Sequence, residues 1–204
     1  MRYSKEHKQE THERIVRKAS VRLREKGAHG IGVADLMKEA GLTHGRFYAH
    51  FDSREALVIE AFNYAMDRAT ERWRKMAEEI PPEKRFGAIV ESYLTALHRD
   101  DPGHGCAITA LGSDIARESP KTRKAFAAKL NDMIEMMADQ VPELPRQVAR
   151  QQAIAALSTM AGALVLSRVA GTGEFSDEIL GAGREAVVSR AAKPAAKKPR
   201  AKAN

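Results

Sequence analysis

A short polar run between residues 43 and 50 carries the side chains best suited to chemistry. Phe47 and Phe51, four residues apart, would hold one side of a helix against the protein and leave the polar groups on or near its outer face. Those groups are donors, acceptors and cations without a carboxylate: Thr43, His44, Arg46, Tyr48 and His50. Such a face suits a groove lined with base edges and phosphates. The run therefore predicts contact with double-stranded DNA.

Two short helices joined by a tight turn must position this face. The first helix has an apolar side at helical spacing, formed by Val33, Leu36, Met37 and Ala40. Gly41 ends that helix, because glycine enters a left-handed turn without steric cost. Thr43 is expected to cap the second helix with its hydroxyl group.

Residues 40–57, AGLTHGRFYAHFDSREAL, closely resemble the helix-turn-helix of the tetracycline-repressor (TetR) family of bacterial transcription regulators. The family pattern is roughly A-G-[VL]-[ST]-x-G-x-[LF]-Y-x-H-F-x-[ST]-[KR]-E-x-L, and it is matched in fixed register. The resemblance implies a sequence-specific regulator, most commonly a repressor that a small-molecule ligand releases from a palindromic operator. It also implies a homodimer, since two recognition helices reading a palindrome need a two-fold axis. Activation remains an alternative to repression.

The resemblance assigns roles within the motif. Arg46 occupies a variable position and is expected to read bases, most simply guanine. Thr43, Tyr48 and His50 match positions that commonly hold phosphates, although Tyr48 or His50 could instead be packing residues. His44 would touch a base or a phosphate. At the start of the next helix, Arg54 takes the family's usual Lys position and would face the DNA backbone.

Composition predicts an all-α chain of about nine helices. Ala, Leu, Met, Glu, Lys and Arg are abundant, while no stretch of β-branched residues alternates convincingly. One helix is expected over about residues 83–99, and helix caps are expected at Asp52 or Ser53, at Ser119 followed by Pro120, and at Ser176 before a helix that begins at residue 177. We expect a DNA-binding domain over residues 1–52 and a helical ligand-binding and dimerisation domain over 53–192. Residues 193–204, rich in Ala, Lys and Pro, are expected to form a disordered tail.

The positive charge is concentrated at the two ends. The net charge is +5 over residues 1–50, −3 over 51–190 and +5 over 191–204, within a total of +7. A basic N-terminal end supplies the salt-sensitive, phosphate-neutralising part of DNA binding. The tail could add non-specific affinity, and a non-specific DNA-binding protein that uses this tail is one alternative function.

The C-terminal half offers candidates for an effector cavity. Apolar and sulfur-containing side chains could line it, and their adaptable surface suits an apolar small molecule. The predicted ligand-binding residues are Phe62, Met66, Tyr93, Leu97, Cys106, Met133 and Met137, with Trp73 as a further candidate. For any single one of them, packing in a filled helical core is the simpler explanation. The Ala- and Gly-rich stretch 148–169 allows the close helix approach of a dimer interface.

Other chemistries find less support in the sequence. His98, His104 and Cys106 lie close together with Asp100 and Asp101, but their spacing matches no closed zinc pattern, so we predict no metal and no cofactor. A redox- or metal-responsive regulator using Cys106 remains an alternative. No nucleophile–base pair, phosphate loop or carboxylate pair indicates an enzyme.

The sequence predicts a cytoplasmic protein without a membrane partner. A single cysteine permits no internal disulfide, which fits a reducing compartment. The N-terminus lacks the apolar stretch of a signal peptide. The longest apolar run, residues 153–166, is expected to be too short to span a bilayer.

Overall fold

The computed structural model describes residues 5–191, which form helices joined by short turns and contain no strand. Nine α-helices follow in chain order: α1 Lys5–Lys26, α2 Val33–Glu39, α3 Arg54–Glu78, α4 Pro82–Tyr93, α5 Ala96–Asp100, α6 Ala107–Ile115, α7 Pro120–Ala138, α8 Arg146–Ala170 and α9 Glu174–Ala191. A 3₁₀ helix, His44–Ala49, lies between α2 and α3. The predicted all-α class is confirmed, and the predicted basic tail lies outside the described residues.

One hydrophobic core runs through both halves of the molecule. In the N-terminal half, α1 buries Ile15 and Ala19 with Met37 of α2. Helix α3 continues from that core into the C-terminal half, where its buried side ends near Ala77. Helix α7 packs on α3, α8 packs on α7, and α9 packs along α8. Burial of α3 along its length therefore joins the two predicted domains.

Two helix starts follow the expected capping chemistry. Ser53 precedes α3, and its hydroxyl oxygen accepts a hydrogen bond from the amide of Ala56 at 3.1 Å. Ser119 precedes α7, with Pro120 in the first turn, and its oxygen accepts from the amide of Thr122 at 3.2 Å. Each cap satisfies an amide that has no partner within the helix.

The expected single helix over residues 83–99 is wrong, because the chain breaks between α4 and α5 at Leu94 and Thr95. The His98 ring bridges this break: its Nδ1–H donates to the carbonyl of Tyr93 at 2.7 Å, while its Nε2 accepts from the amide of Cys106 at 2.8 Å. These partners require the neutral tautomer with the proton on Nδ1. Burial lowers the pKa of His98 to about 4, which agrees with a neutral ring.

The start of the last helix also differs from the prediction. Ser176 was expected to cap a helix beginning at residue 177, but α9 begins at Glu174 and Ser176 lies buried in its first turn. The Ser176 hydroxyl donates to the carbonyl of Ser167 at 2.8 Å and accepts from Arg99 Nη1 at 2.9 Å. These tertiary contacts replace capping as the function of this serine.

Helix α8 is longer than the apolar run seen in the sequence. It has 25 residues, its most apolar 18-residue window has a mean hydropathy of 1.7, and it is the one helix of residues 5–191 that meets the length and composition of a membrane span. The helix therefore extends the apolar character beyond the run 153–166 that the sequence indicated. Core helices of globular proteins meet the same criterion, and α8 packs along α9 and α7.

The His98 bridge makes stability depend on pH. Because the pKa of His98 is about 4 in the folded chain and near 6.5 when unfolded, only the unfolded chain binds a proton between these values. The free energy of unfolding should therefore fall as pH drops from 6.5 to 4, by up to roughly 3 kcal/mol. Urea titrations of the native protein and His98→Gln across this range measure the effect. An equal dependence of the free energy of unfolding on pH in both proteins would contradict this prediction, since glutamine does not titrate.

Candidate nucleic-acid interface and neighbouring cavity

The predicted recognition helix is a six-residue 3₁₀ helix. Gly41 has a φ of 75° and turns the chain as expected between α2 and this helix. Thr43 stands at the N-cap in an extended conformation, but its side chain makes no capping hydrogen bond, so the expected cap is wrong. The exposed Thr43 hydroxyl is therefore not used to hold the helix.

Two phenylalanines fix this helix to the protein, as the spacing predicted. Phe47 and Phe51 are buried, with ring centroids 5.5 Å apart. The His12 ring of α1 stacks on Phe51 at 4.5 Å, and its Nε2 lies 2.6 Å from a carboxylate oxygen of Glu60 in α3. The 3₁₀ helix is thus held by α1 and α3 together.

The other face of the 3₁₀ helix carries the predicted contact groups. His44 and Arg46 are exposed, and Tyr48 is 71% exposed, so Tyr48 does not serve the core. His50 is half-buried. Burial lowers the pKa of His50, and the nearby positive charges of His12, Lys8 and Arg46 lower it further. His50 is therefore a neutral ring near pH 7, while Arg46 brings a permanent charge to this face.

Arg54 makes a contact within the protein that the sequence did not indicate. Its guanidinium donates to the carbonyl of Ala28, in the connection between α1 and α2. The amide of Ala28 donates in turn to the carboxylate of Asp114 in α6 at 2.7 Å. The α1–α2 connection is thereby tied to α3 and to α6.

Two further contacts join the N-terminal helices to the C-terminal half. Arg24 of α1 donates through Nη1 to the carbonyl of Gly105 at 2.6 Å. Glu55, in the first turn of α3, accepts from the hydroxyls of Ser119 and Thr122, and these hydrogen bonds lower the pKa of Glu55. Sequence spacing gave no sign of either contact, because the partners lie 64 to 81 residues apart.

A cavity of about 330 Å³ lies between α3, the end of α4 and α5. Its volume falls at the lower end of the range of small-molecule sites. The cavity is lined by Arg72, Trp73, Met76, Ser92, Tyr93, Thr95, Leu97, His98, Asp101, His104 and Gly105. Tyr93 and Leu97, two of the predicted ligand-binding residues, are thus brought together with Trp73.

The other predicted ligand-binding residues occupy the core and do not line this cavity. All are buried: Phe62, Met66, Cys106, Met133 and Met137. Phe62 stacks on Phe126 with ring centroids 3.3 Å apart, which fills the space beside α7. For these residues the structure favours core packing, the alternative that the sequence left open.

Cys106 is buried next to two partly buried arginines. Its amide donates to His98, and its thiol lies within the electrostatic reach of Arg24 and Arg168. Arg168 donates to the carbonyls of His98 at 2.8 Å and Arg99 at 3.1 Å. Burial lowers the pKa values of both Arg24 and Arg168, and negative charge on Cys106 would oppose that effect. The sequence could not place these positive charges.

The candidate metal ligands are not arranged as a metal site. His98 is engaged with backbone groups, and His104 Nδ1 lies 3.0 Å from a carboxylate oxygen of Asp101. Within residues 5–191, no group of three or more His, Cys, Asp or Glu side chains is placed to hold a metal ion.

Two family models match the chain over most of its described length. The model for bacterial regulatory proteins of the tetR family matches residues 15–61. The C-terminal domain model of LmrA/YxaF-like transcriptional regulators matches residues 82–178. The first runs from within α1 to the start of α3 and includes the 3₁₀ helix, and the second runs from α4 through α8 into the first turn of α9.

Similar proteins are named as transcription regulators. An uncharacterized HTH-type regulator of Mycobacterium tuberculosis, Rv0196, is 27% identical over 165 residues, covering 77% of this chain and 84% of that protein. The crystal structure of reduced NemR from E. coli has a TM-score of 0.76 at 19% identity, covering 88% of this chain and 96% of NemR. FadR from Bacillus subtilis, in complex with stearoyl-CoA, has a TM-score of 0.67 at 18% identity, covering 87% and 97% of the two chains. These two structures show the same fold.

Proposed function

Because the chain belongs to the TetR family of DNA-binding bacterial transcription regulators, we propose that it is a repressor released from a palindromic operator by a small-molecule effector. The observation that carries this proposal is the exposed face of the 3₁₀ helix, where donors and a permanent cation stand opposite the buried Phe47. We propose residues 5–52 as the DNA-reading unit and residues 53–191 as the effector and dimer unit, acting in the cytoplasm.

We assign sequence reading to Arg46, whose planar guanidinium matches the two acceptors of guanine. Thr43 and Tyr48 would position the helix on phosphates, and His44 would touch a base or a phosphate. Half-buried His50 would support a phosphate contact at the edge of the face. Arg54 would act by fixing Ala28 in place more than by reaching the DNA, because its guanidinium already donates to that carbonyl.

The surface of α8 and α9 supports a homodimer. Several apolar side chains on these two packed helices are exposed: Ile154, Val165, Leu166, Val169, Phe175 and Val188. Val169 is 81% exposed and Phe175 67%, and such a patch on a monomer commonly marks an interface. A two-fold axis through this surface would present two reading heads to one palindrome.

Release requires that an effector bind two arrangements of the protein unequally. The cavity is lined in part by α3, which packs against α1 of the reading unit, and the Gly105 carbonyl of the cavity accepts from Arg24 of α1. An effector that moves α3 against the Gly105 turn would therefore tilt α1 and the 3₁₀ helix. In a dimer, such a tilt would change the distance between the reading heads.

Genomic fragment selection with the purified full-length protein tests the DNA-binding part. At physiological salt, the native protein should recover a few palindromic sites. Arg46→Ala/Tyr48→Ala should lose them, because base-reading and phosphate contacts are removed without touching the core. Arg74→Ala, an exposed arginine on α3 away from the reading face, is the matched control and should behave as native. Broad recovery by all three proteins, lost on removal of residues 192–204, would instead indicate a non-specific DNA-binding protein.

The dimer is tested by placing a charge on the exposed apolar surface. Leu166→Glu/Val169→Glu should convert the dimer to a monomer and weaken operator binding at least about tenfold, because a charge would be buried at the interface. Sedimentation equilibrium gives the mass, and a melting curve verifies that the monomer is folded. Lys124→Glu, a charge change at an exposed position of α7 outside this apolar surface, serves as the control. An unchanged dimer mass in the double variant would refute this interface.

A second candidate function is oxidant sensing through Cys106. The observation that favours it is the position of two cations beside Cys106: Arg24 donates to the carbonyl of the preceding residue, Gly105, and Arg168 donates to the hydroxyl of Thr109. In this proposal, Cys106 as a thiolate attacks one oxygen of hydrogen peroxide, giving a sulfenate while the other oxygen leaves as water.

The two candidates differ in their response to Cys106→Ser. If Cys106 senses oxidants, peroxide should release the native protein from its operator within minutes and leave the serine variant bound, as followed by fluorescence anisotropy. A native protein that stays bound at millimolar peroxide removes this candidate and leaves the ligand-responsive repressor. Reversal by dithiothreitol distinguishes oxidation of the sulfur from damage to the fold.

A further inference from the structure

Two cavities meet at the turn before Cys106. The first, described above, lies between α3 and α5, and a second of about 720 Å³ lies between α1 and α3. Both are lined by Arg72, His104 and Gly105, so the two lie side by side at this point. We call the joint space the α3 cleft. Its size would accommodate a ligand larger than the first cavity alone could hold.

Positive charge in the α3 cleft is not balanced by its own acids. Five Arg or Lys side chains line it against three Asp or Glu side chains. Each acid already has a cationic or histidine partner: Asp67 pairs with Lys129 at 2.5 Å, Glu71 with Arg74 at 2.8 Å, and Asp101 with His104 at 3.0 Å. Arg72 forms no hydrogen bond or ion pair with any described residue. The cleft therefore presents free cationic groups to whatever enters it.

Arg24 attracts an anion more strongly than an exposed arginine would, because its guanidinium is partly buried. Its guanidinium donates to Gly105, to the Ser20 carbonyl at 2.8 Å and to the Ser20 hydroxyl at 3.2 Å, and it has no carboxylate partner among residues 5–191. Burial lowers the pKa of Arg24; Cys106 and Asp101 oppose that shift electrostatically, and the neighbouring charge of Arg72 adds to it. Because no carboxylate is hydrogen-bonded to this partly buried cation, an anion beside both arginines would be stabilised.

The first cavity provides an apolar wall next to these cations. Trp73, Met76 and Tyr93 contribute to it from α3 and α4, and Leu97 stands at its mouth with 80% of its surface exposed. An exposed leucine at the entrance of a cavity gains free energy when an apolar body covers it. The cleft thus has an apolar part and a cationic part side by side.

We propose that the effector is an amphipathic anion, with its apolar body against Trp73, Met76 and Leu97 and its acidic group between Arg24 and Arg72. This inference rests on the proposed ligand-responsive function and narrows the predicted apolar effector to one that carries a carboxylate, sulfonate or phosphate. The acidic group lies beside the Gly105 turn, which accepts the hydrogen bond from α1. Its arrival would compete for Arg24 and so loosen a contact between the two halves of the chain.

Two dyes with the same apolar body test the proposal on the full-length protein. 8-Anilinonaphthalene-1-sulfonate carries an acidic group, and N-phenyl-1-naphthylamine has the same rings without it. Fluorescence titration should give a dissociation constant at least about fivefold lower for the sulfonate, the size expected of a partly exposed ion pair. The preference should shrink as salt concentration rises, because salt screens exposed charges.

Matched variants identify the residues that cause the preference for the sulfonate dye. Arg72→Gln should abolish it while leaving the affinity for the neutral dye unchanged, and Arg72→Lys should retain most of it. Arg74→Gln changes a neighbouring exposed arginine that does not line the cleft, and it should behave as native. Leu97→Ser should weaken both dyes alike, since it removes apolar contact only. Melting curves of all variants should match the native curve, because neither Arg72 nor Leu97 supports the core.

Two results would overturn the proposal: equal affinity of the native protein for both dyes, or a sulfonate preference that survives Arg72→Gln. The second result would place the dye on another surface, such as the exposed apolar side chains of α8 and α9. Operator binding measured on the same samples distinguishes a failure of the anionic-effector proposal from a failure of the proposed regulator function. Operator binding without a sulfonate preference refutes the anionic effector alone. A preference that depends on Arg72 supports the anion site even if the protein binds no operator.

Discussion

Burial of α3 along its whole length is the constraint on which the rest of the structure depends. A helix of 25 residues extends about 37 Å, and its apolar side must be covered from Leu57 to Ala77. The first turns are covered by α1, and the later turns by α4 and α7. Because one rigid helix serves both cores, the reading face and the cleft cannot rearrange independently. A ligand that displaces α3 in the cleft would therefore also displace the reading face.

Local chemistry determined what could be predicted from the sequence. Proline, glycine and serine act through their own backbone and the next few residues, so the caps at Ser53 and Ser119 and the turn at Gly41 were predictable. The break between α4 and α5 was not, because its cause is the His98 ring, whose second partner is the amide of Cys106 eight residues away. The start of α9 depends on Arg99, which is 77 residues from Ser176.

Apolar helix faces also limited the prediction of the site. A buried core residue and a cavity-lining residue follow the same spacing, so Met133 and Leu97 could not be separated until the packing was known. The net charge of the N-terminal segment was similarly ambiguous. Arg22 pairs with Glu39 at 2.8 Å, and Arg24 turns towards Gly105 instead of the reading face. Only part of the positive charge of this segment is therefore available to phosphates.

Four of the links between elements share one chemical property, which bears on how such a protein can diversify. Arg24, Arg54, Arg168 and Arg184 each donate to a main-chain carbonyl, at Gly105, Ala28, His98 and Leu94 respectively. A carbonyl is present whatever side chain the position carries. Substitutions at Leu97, Met76 or other cleft positions can therefore change which molecule is bound while these links persist. Recognition and transmission are in this way separable during evolution, and related chains could acquire new effectors without rebuilding the path to DNA.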